Sequence, residues 1–403
     1  MTRIIERKEY LKKLWELKDT DLIKVVTGVR RSGKSTLLQL FLEKLQEEVS
    51  SKRIQQYNFE ERQGLNFEDW KAIYDVIDSK LVKGEKNYVF LDEVQGVKEF
   101  ERLLDALFVN KDIDLYVTGS NAYLLSSELA TLLTGRSFTI NILPFSFKEF
   151  SETFDSSKSR TELFSDYLKS SSLPQAAELY KINPSLVPSY VKEVFESIFE
   201  NDIAVRHEFN SEKSFRNVAD FMADNVGNMV SPNSIANVLT SENKSIDSRT
   251  VENYLRYLVD SYVLYEAKRF DVKGKSILRT RSKFYLSDLG FRNALLGERS
   301  GVDVGHLLEN VVYLELLRRG QQVWIGKIDE KEVDFVARDW RGDLTYYQVA
   351  YSVRNEATLE RELAPFDTIK DHFPKILLTT DLEEVTRRGI KQLNVERWLM
   401  GGE

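Results

Sequence analysis

The segment "GVRRSGKSTLL", beginning at Gly28, constrains this chain more than any other stretch, because it compresses glycines, basic residues and hydroxyls between a strand and a helix. Upstream, "LIKVV" sets Leu22, Ile23, Val25 and Val26 around Lys24 and predicts a buried strand. Downstream, Leu37, Leu38, Leu40, Phe41, Leu42 and Leu45 recur at spacings that put an apolar stripe on one helix. The pattern GxxxxGK[ST] is informative in just this strand, loop, helix order. Gly28 and Gly33 reach backbone angles closed to other residues. The N–H groups along Gly28, Val29, Arg30, Arg31, Ser32, Gly33, Lys34, Ser35 and Thr36 can therefore surround an anion, and the positive end of the helix adds to the same point. The expected ligand is a nucleoside triphosphate, with Lys34 on its outer phosphates and the Ser35 hydroxyl on Mg2+.

Hydrolysis needs a metal partner and a base as well. In "NYVFLDEVQ" the apolar run Tyr88 to Leu91 predicts a short buried strand ending in Asp92 and Glu93, and parallel sheets carry their ligands at the carboxyl ends of strands. Asp92 is the candidate for the magnesium shell and Glu93 the candidate base for the attacking water. A third strand, "IDLYVTGSN", ends in Thr118, Gly119, Ser120 and Asn121. Ser120 or Asn121 contacts the outermost phosphate or the water, or else caps the helix predicted over "AYLLSSELATLL". Arg136 is either a catalytic arginine finger, stabilising charge that develops in the transition state, or a surface arginine after a C-cap glycine, Gly135.

The run from "VVTGVRRSGKSTLL" through "FLDEVQ" and "TGSNAYLLSSELATLLTGR" to "LPFSFKEF" resembles the AAA-type ATPases of bacteria and archaea that carry a C-terminal domain of unknown function. The match extends to "LLENVVYLELLRRG" and "EVDFVA" near the other end. This resemblance implies ATP rather than GTP, and no NKxD-type guanine motif is evident. It also implies a homo-oligomeric ring or partial ring, in which Arg136 acts within its own subunit or across to a neighbour.

Past the first 210 residues the pattern changes to short helices. "SFRNVADFMADNV", "SPNSIANVLT" and "DSRTVENYLRYLVDSYVL", followed by the strands "YVLYEAKRF" and "SILRTRSKFYL", fit a winged helix. Arg249, Asn253 and Arg256 occupy the outward face of its third helix, and the hairpin carries Lys268, Arg269, Lys273, Lys275, Arg279, Arg281 and Lys283. Such a module binds DNA through the third helix and hairpin, or docks a protein. The remaining order, a helix around "GHLLENVVYLELLRRG", three strands, a helix and a strand, resembles a restriction-endonuclease-like core. Its acidic positions match Glu309, Asp334 and Gln348, while Ala350 stands where the motif has lysine. Metal-dependent phosphodiester cleavage needs several anionic oxygens and a cation beside the nucleophile. A neutral amide at Gln348 and the loss of that lysine therefore favour a binding or assembly role, and Lys327 substitutes only if it points into the site.

The expected fold class is α/β. An AAA-type P-loop NTPase parallel-sheet domain spans 1–145, a helical lid or linker 146–210, a winged helix 211–300 and an α/β endonuclease-like domain 301–403. A net charge of −7 argues against a surface coated for nucleic acid without excluding a local basic patch. The absence of cysteine excludes disulfides and thiolate zinc sites, and His207, His306 and His372 show no ligand spacing. With no membrane-length apolar run and no secretory core in "MTRIIERKEY", a cytoplasmic protein is expected. The cofactors expected are ATP and Mg2+. Three functions follow from these readings: an ATPase acting on branched or duplex DNA, an ATP-dependent nuclease using Glu309 and Asp334, or a nucleotide-gated protein switch with no DNA role.

Overall fold

Runs of Val, Ile, Leu and Tyr in the first third of the chain assemble into an all-parallel sheet of β1 (Ile23–Thr27), β2 (Ile54–Asn58), β3 (Asn87–Asp92), β4 (Ile113–Gly119) and β5 (Ser137–Asn141), in the order β2-β3-β4-β1-β5. The computed structural model describes residues 4–60, 69–121, 135–154, 158–207, 209, 211–297 and 304–402, apart from the side chains of Arg279 and Thr280. The chain divides into two units, Met1–Ile142 with Asp260–Tyr262, and Leu143–Val259 with Val263–Glu403.

In the first unit the central strands are buried on both faces, as crossover helices on each side of a parallel sheet require. Val25, Val89, Leu91, Leu115 and Val117 pack with α3 (Trp70–Ser79) and α4 (Phe100–Val109). The alternate residues Val26, Tyr88, Phe90 and Tyr116 face α1 (Lys8–Leu17) and α2 (Lys34–Gln46). Because β1 and β3 both run parallel to β4 between them, the loop after β1 and the acids at the end of β3 emerge at the same carboxyl edge. That edge is where a doubly wound sheet offers its ligand crevice.

Lys24, the charged interruption in "LIKVV", is fully buried with Asp114. Its ammonium donates to that carboxylate and to the Thr20 carbonyl at 2.9 Å. Asp114 also accepts from the Tyr116 hydroxyl and the Asp19 amide, both at 2.9 Å. Burial pulls the Lys24 ammonium below its ordinary value even though Asp114 pushes it up. Removing one partner of such a pair strands the other, at about 3–5 kcal/mol. Asp114→Ala is therefore expected to lower the urea midpoint markedly, and Lys24→Met with Asp114→Leu to recover most of that loss. An unchanged midpoint in Asp114→Ala would show the pair to be energetically idle.

The second unit begins with helices α5 (Phe147–Glu152), α6 (Arg160–Lys169), α7 (Pro174–Ile182) and α8 (Val187–Ile198). Ser146 and Ser159 start α5 and α6 with reciprocal capping boxes. Next come α9 (Glu212–Asp224), α10 (Pro232–Ser241) and α11 (Ser248–Asp260), then the hairpin β6 (Leu264–Asp271) and β7 (Ser276–Leu286). The expected order of three helices and a hairpin is present, but the hairpin is not a free wing. Through Arg269–Asp271, β6 pairs in parallel with β8 (Gln322–Ile328).

The two strands thus form one edge of an eight-stranded sheet running β12-β13-β11-β10-β9-β8-β6-β7. Its other members are β9 (Lys331–Arg338), β10 (Leu344–Val349), β11 (Lys375–Thr379), β12 (Thr386–Arg387) and β13 (Ile390–Asn394). Short helix α12 (Leu289–Leu296) precedes α13 (Val304–Arg318), and α14 (Glu356–Asp367) connects β10 to β11. Residues Leu307–Leu316 of α13 are buried on every face, the polar Glu309, Asn310 and Glu315 among them. Among the described residues no helix is long and apolar enough to cross a membrane.

Candidate active site

The loop after β1 is shaped by backbone that only glycine tolerates at its first position. Gly28 has φ 143°, and a Cβ there would lie 2.2 Å from the Ile142 carbonyl oxygen, so no side chain fits. Gly33 has φ 97° and leads directly into α2, whose first residue is Lys34. The leading N–H groups of a helix have no intrahelical acceptor, and here they open onto the loop. Ser32 Oγ is buried with no hydrogen-bond partner, a polar atom that suits the cradle of an anion.

Around this loop the predicted residues converge. Lys34 is buried, donates to the Gly28 and Val29 carbonyls at 3.0 and 3.2 Å, and lies 3.7 Å from Glu93. The Ser35 hydroxyl hydrogen bonds to Asp92, which joins the two expected magnesium ligands directly. Burial raises the Asp92 carboxyl above its ordinary value, against hydrogen bonds from Thr118 and Ser35 that pull it down. For Glu93 burial pushes the same way, but Lys34, Arg30 and hydrogen bonds from Gln95 and Ser120 outweigh it and hold this acid below its ordinary value. Glu93 is thus an anion at neutral pH beside an ammonium. Its backbone is left-handed, φ 53° and ψ 48°, a conformation that costs of order 1–3 kcal/mol in a non-glycine residue and concentrates at functional sites.

Other predicted positions separate by location. Ser120 and Asn121 are both buried, and Ser120 accepts a hydrogen bond from the Gln95 amide at 3.3 Å. The helix that either would cap lies outside the described residues. Arg30 pairs with Glu60, whereas Arg31 is exposed with φ 65°. Arg136 immediately precedes β5, and its carbonyl accepts from the Ile23 amide where β1 begins. It therefore lies at the end of the sheet opposite the loop, bonded to Asp105 at 2.8 Å and set over Phe108.

Three contributors escaped the sequence reading. Thr118 donates to Asp92 and accepts from the Glu93 amide at 2.8 Å, fixing both acids at once. Its place at the polar tip of a buried strand was the available signal. Gln95 donates to Glu93, and only its nearness in sequence hinted at that. Arg7, from outside the motif, donates to the Ser32 carbonyl at 2.9 Å and braces the loop.

In the second unit, Arg249, Asn253 and Arg256 of α11 line one groove of about 630 Å3 with Glu252, Ser282 and Phe284. Arg281 is exposed beside it, next to the bridge between Val230 and Ser282. Lys273 and Lys275 lie at the hairpin tip, roughly 20 Å further along β7 at ~3.3 Å per residue, and Lys273 is paired with Asp329 at 2.6 Å. The Arg279 side chain lies outside the described residues. Lys283, counted among the basic residues that the hairpin carries, is buried.

Glu309, Asp334 and Gln348 do come together, in a cleft of about 790 Å3 that Lys283, Glu332 and Glu362 also line. Asp334 accepts from the Val349 amide at 2.8 Å, and the Gln348 amide donates to Glu362 at 3.0 Å. Lys327 is not among the described residues lining it.

Comparison with known proteins agrees with the first unit's geometry. Residues 20–151 match a family described as an AAA domain, and residues 161–301 match a domain of unknown function. An uncharacterized protein of Haemophilus influenzae is 39% identical over 403 residues, covering 98% of this chain and 99% of the relative. An uncharacterized protein of Methanocaldococcus jannaschii is 31% identical over 372 residues, covering 87% of this chain and 79% of the relative. Among solved structures, a Walker-type ATPase of Pyrococcus abyssi superposes with a TM-score of 0.50 at 17% identity, covering 73% of this chain and 97% of that one. At that identity the likeness concerns the fold, and the first unit is a P-loop NTPase of AAA type.

Proposed function

Because this chain belongs to the family of the Haemophilus influenzae and Methanocaldococcus jannaschii relatives and carries an AAA domain over residues 20–151, we propose that it is a magnesium-dependent ATPase whose turnover rearranges its C-terminal half on duplex or branched DNA. The observation that carries the ATPase reading is the meeting of Lys34, Ser35, Asp92 and Glu93 at one loop. Lys34 leaves its loop carbonyls for the outer phosphates of ATP. Ser35 and Asp92 are the residues that would supply oxygens to Mg2+, whose charge would neutralise the phosphates when bound. Glu93 orients the water in line with the terminal phosphate and takes its proton.

Arg136 serves this reaction only across an interface, since in its own subunit it belongs to the far end of the sheet. That role makes a homo-oligomer part of the active site.

The DNA reading rests on the groove of α11, where the Arg249 and Arg256 guanidiniums and the Asn253 amide are gathered, with Glu252 and Glu266 lining the same groove. Phosphate neutralisation releases counterions, so log K falls with log salt at about −0.9 per contacted phosphate. ATPase rates measured with duplex, single-stranded and branched DNA across a salt series are expected to rise with one form and to lose that stimulation as salt increases. Arg249→Ala with Arg256→Ala should flatten the salt slope by about 2. Turnover indifferent to every DNA form rejects the DNA partner while leaving the ATPase intact, and a slope unchanged by the double variant removes Arg249 and Arg256 from the DNA interface.

A further inference from the structure

The acidic cleft of the second unit already contains a cation. Lys283, on β7, extends a side chain only 6% exposed into it and meets Glu309 at 3.1 Å and Glu332 at 2.8 Å. The Tyr285 hydroxyl donates to the same Glu309 oxygen at 3.2 Å, which fixes that carboxylate against movement. Burial pulls Lys283 down, yet Glu309 first, then Asp334 and Glu332, carry it above its ordinary value, while burial and the neighbouring Glu309 push the Asp334 carboxyl up toward its neutral form. Its partners come from α13 and β9, so the ammonium joins three elements that meet nowhere near one another in sequence.

A site for Mg2+ or Mn2+ demands near-octahedral oxygen ligation and a dense negative charge. Here the position that would complete such a set is the neutral amide of Gln348, and that amide is committed to Glu362 and to the Asp334 backbone. An ammonium between two carboxylates removes the charge that would draw a metal, and it fills the space the ion would need.

We propose that Lys283 is the resident cation of this centre, standing between Glu309 and Glu332 in the cleft that Asp334 also lines, where a divalent metal would sit, so that the C-terminal cleft is a metal-independent, ion-locked scaffold. The metal-dependent chemistry of the chain is then confined to the nucleotide loop. This inference is independent of the ATPase reading, since it concerns residues of the second unit only.

The test is a Mn2+ titration of the full chain without nucleotide, reading the free ion by its paramagnetic resonance signal. Wild type and Asp334→Asn are expected to take up the same number of ions. Lys283→Met should take up one more per chain, and Lys283→Met with Glu309→Gln should return to the wild-type number. Lys283→Arg, which keeps the charge, should behave as wild type. The proposal is overturned if Asp334→Asn removes an ion from the wild-type count, or if folded Lys283→Met gains none. It is equally overturned if wild type cleaves DNA with Mn2+ and Asp334→Asn does not. Should Lys283→Met fail to fold, the comparison of wild type with Asp334→Asn still decides whether the native centre takes metal.

Discussion

Glu93→Gln is expected to keep ATP bound while slowing its hydrolysis by about 10^2–10^4-fold, the usual contribution of a positioned general base. The substitution is nearly isosteric, so the left-handed turn at residue 93 and the hydrogen bond from Thr118 to its backbone amide are retained. What disappears is the anion that Lys34, Arg30 and Gln95 hold charged against burial. Binding of labelled ATP and single-turnover hydrolysis, measured on the same preparation, separate the two effects. Hydrolysis at the parental rate would assign the base elsewhere.

The acid side of the reaction follows from this residue and its neighbour. Its carboxyl titrates below the ordinary glutamate value, so the Glu93 anion persists until the pH falls through that depressed value, whereas Asp92, raised by burial, is the first of the two acids to protonate and sets the acid limb.

Lys34→Ala is expected to weaken ATP binding by roughly 30-fold to several-thousand-fold, since truncating one member of a buried charge pair costs about 2–5 kcal/mol. Two consequences distinguish this from general damage to the loop. Loss of the ammonium 3.7 Å from Glu93 removes a partner that favours the ionised form of that acid and of Asp92, so the acid limb of any residual activity should move to higher pH. The fold itself should survive, because Gly28 and Gly33 set the loop backbone and Arg7 still braces Ser32. Unchanged nucleotide affinity in a titration calorimeter would remove Lys34 from the phosphates and with it the assignment of this loop.

Much of the nucleotide site was legible because its chemistry is local. Gly28 to Thr36 are contiguous, and the apolar runs before Asp92 and before Thr118 mark strands whose ends hold the polar groups. Parallel-sheet geometry then brings those ends together without further information. Residues that act on these groups from the side were not legible. Gln95 and Arg7 carry no pattern, and their roles depend on which way a backbone turns after β3 and before α1.

The basic hairpin shows the limit most clearly. Its lysines and arginines form one stretch in the chain, yet pairing of β6 with β8 gives them different fates. Arg281 faces outward, Lys273 answers Asp329, and Lys283 is drawn inward to Glu309. Alternation along a strand says which residues share a face. It does not say which face becomes the core.

Sequence alone determined that a glycine-rich GxxxxGK[ST] loop follows a buried strand and precedes a helix, that two acids end another strand, and that the C-terminal pattern lacks a lysine at position 350. Each is a statement about neighbours along the chain, where spacing and side-chain chemistry suffice. Only the tertiary structure decided that Arg136 belongs to the opposite end of the sheet and that Lys283 supplies the cation of the acidic cleft. Both depend on strand order and register, which are set by the burial of whole faces and not by any residue's immediate neighbours.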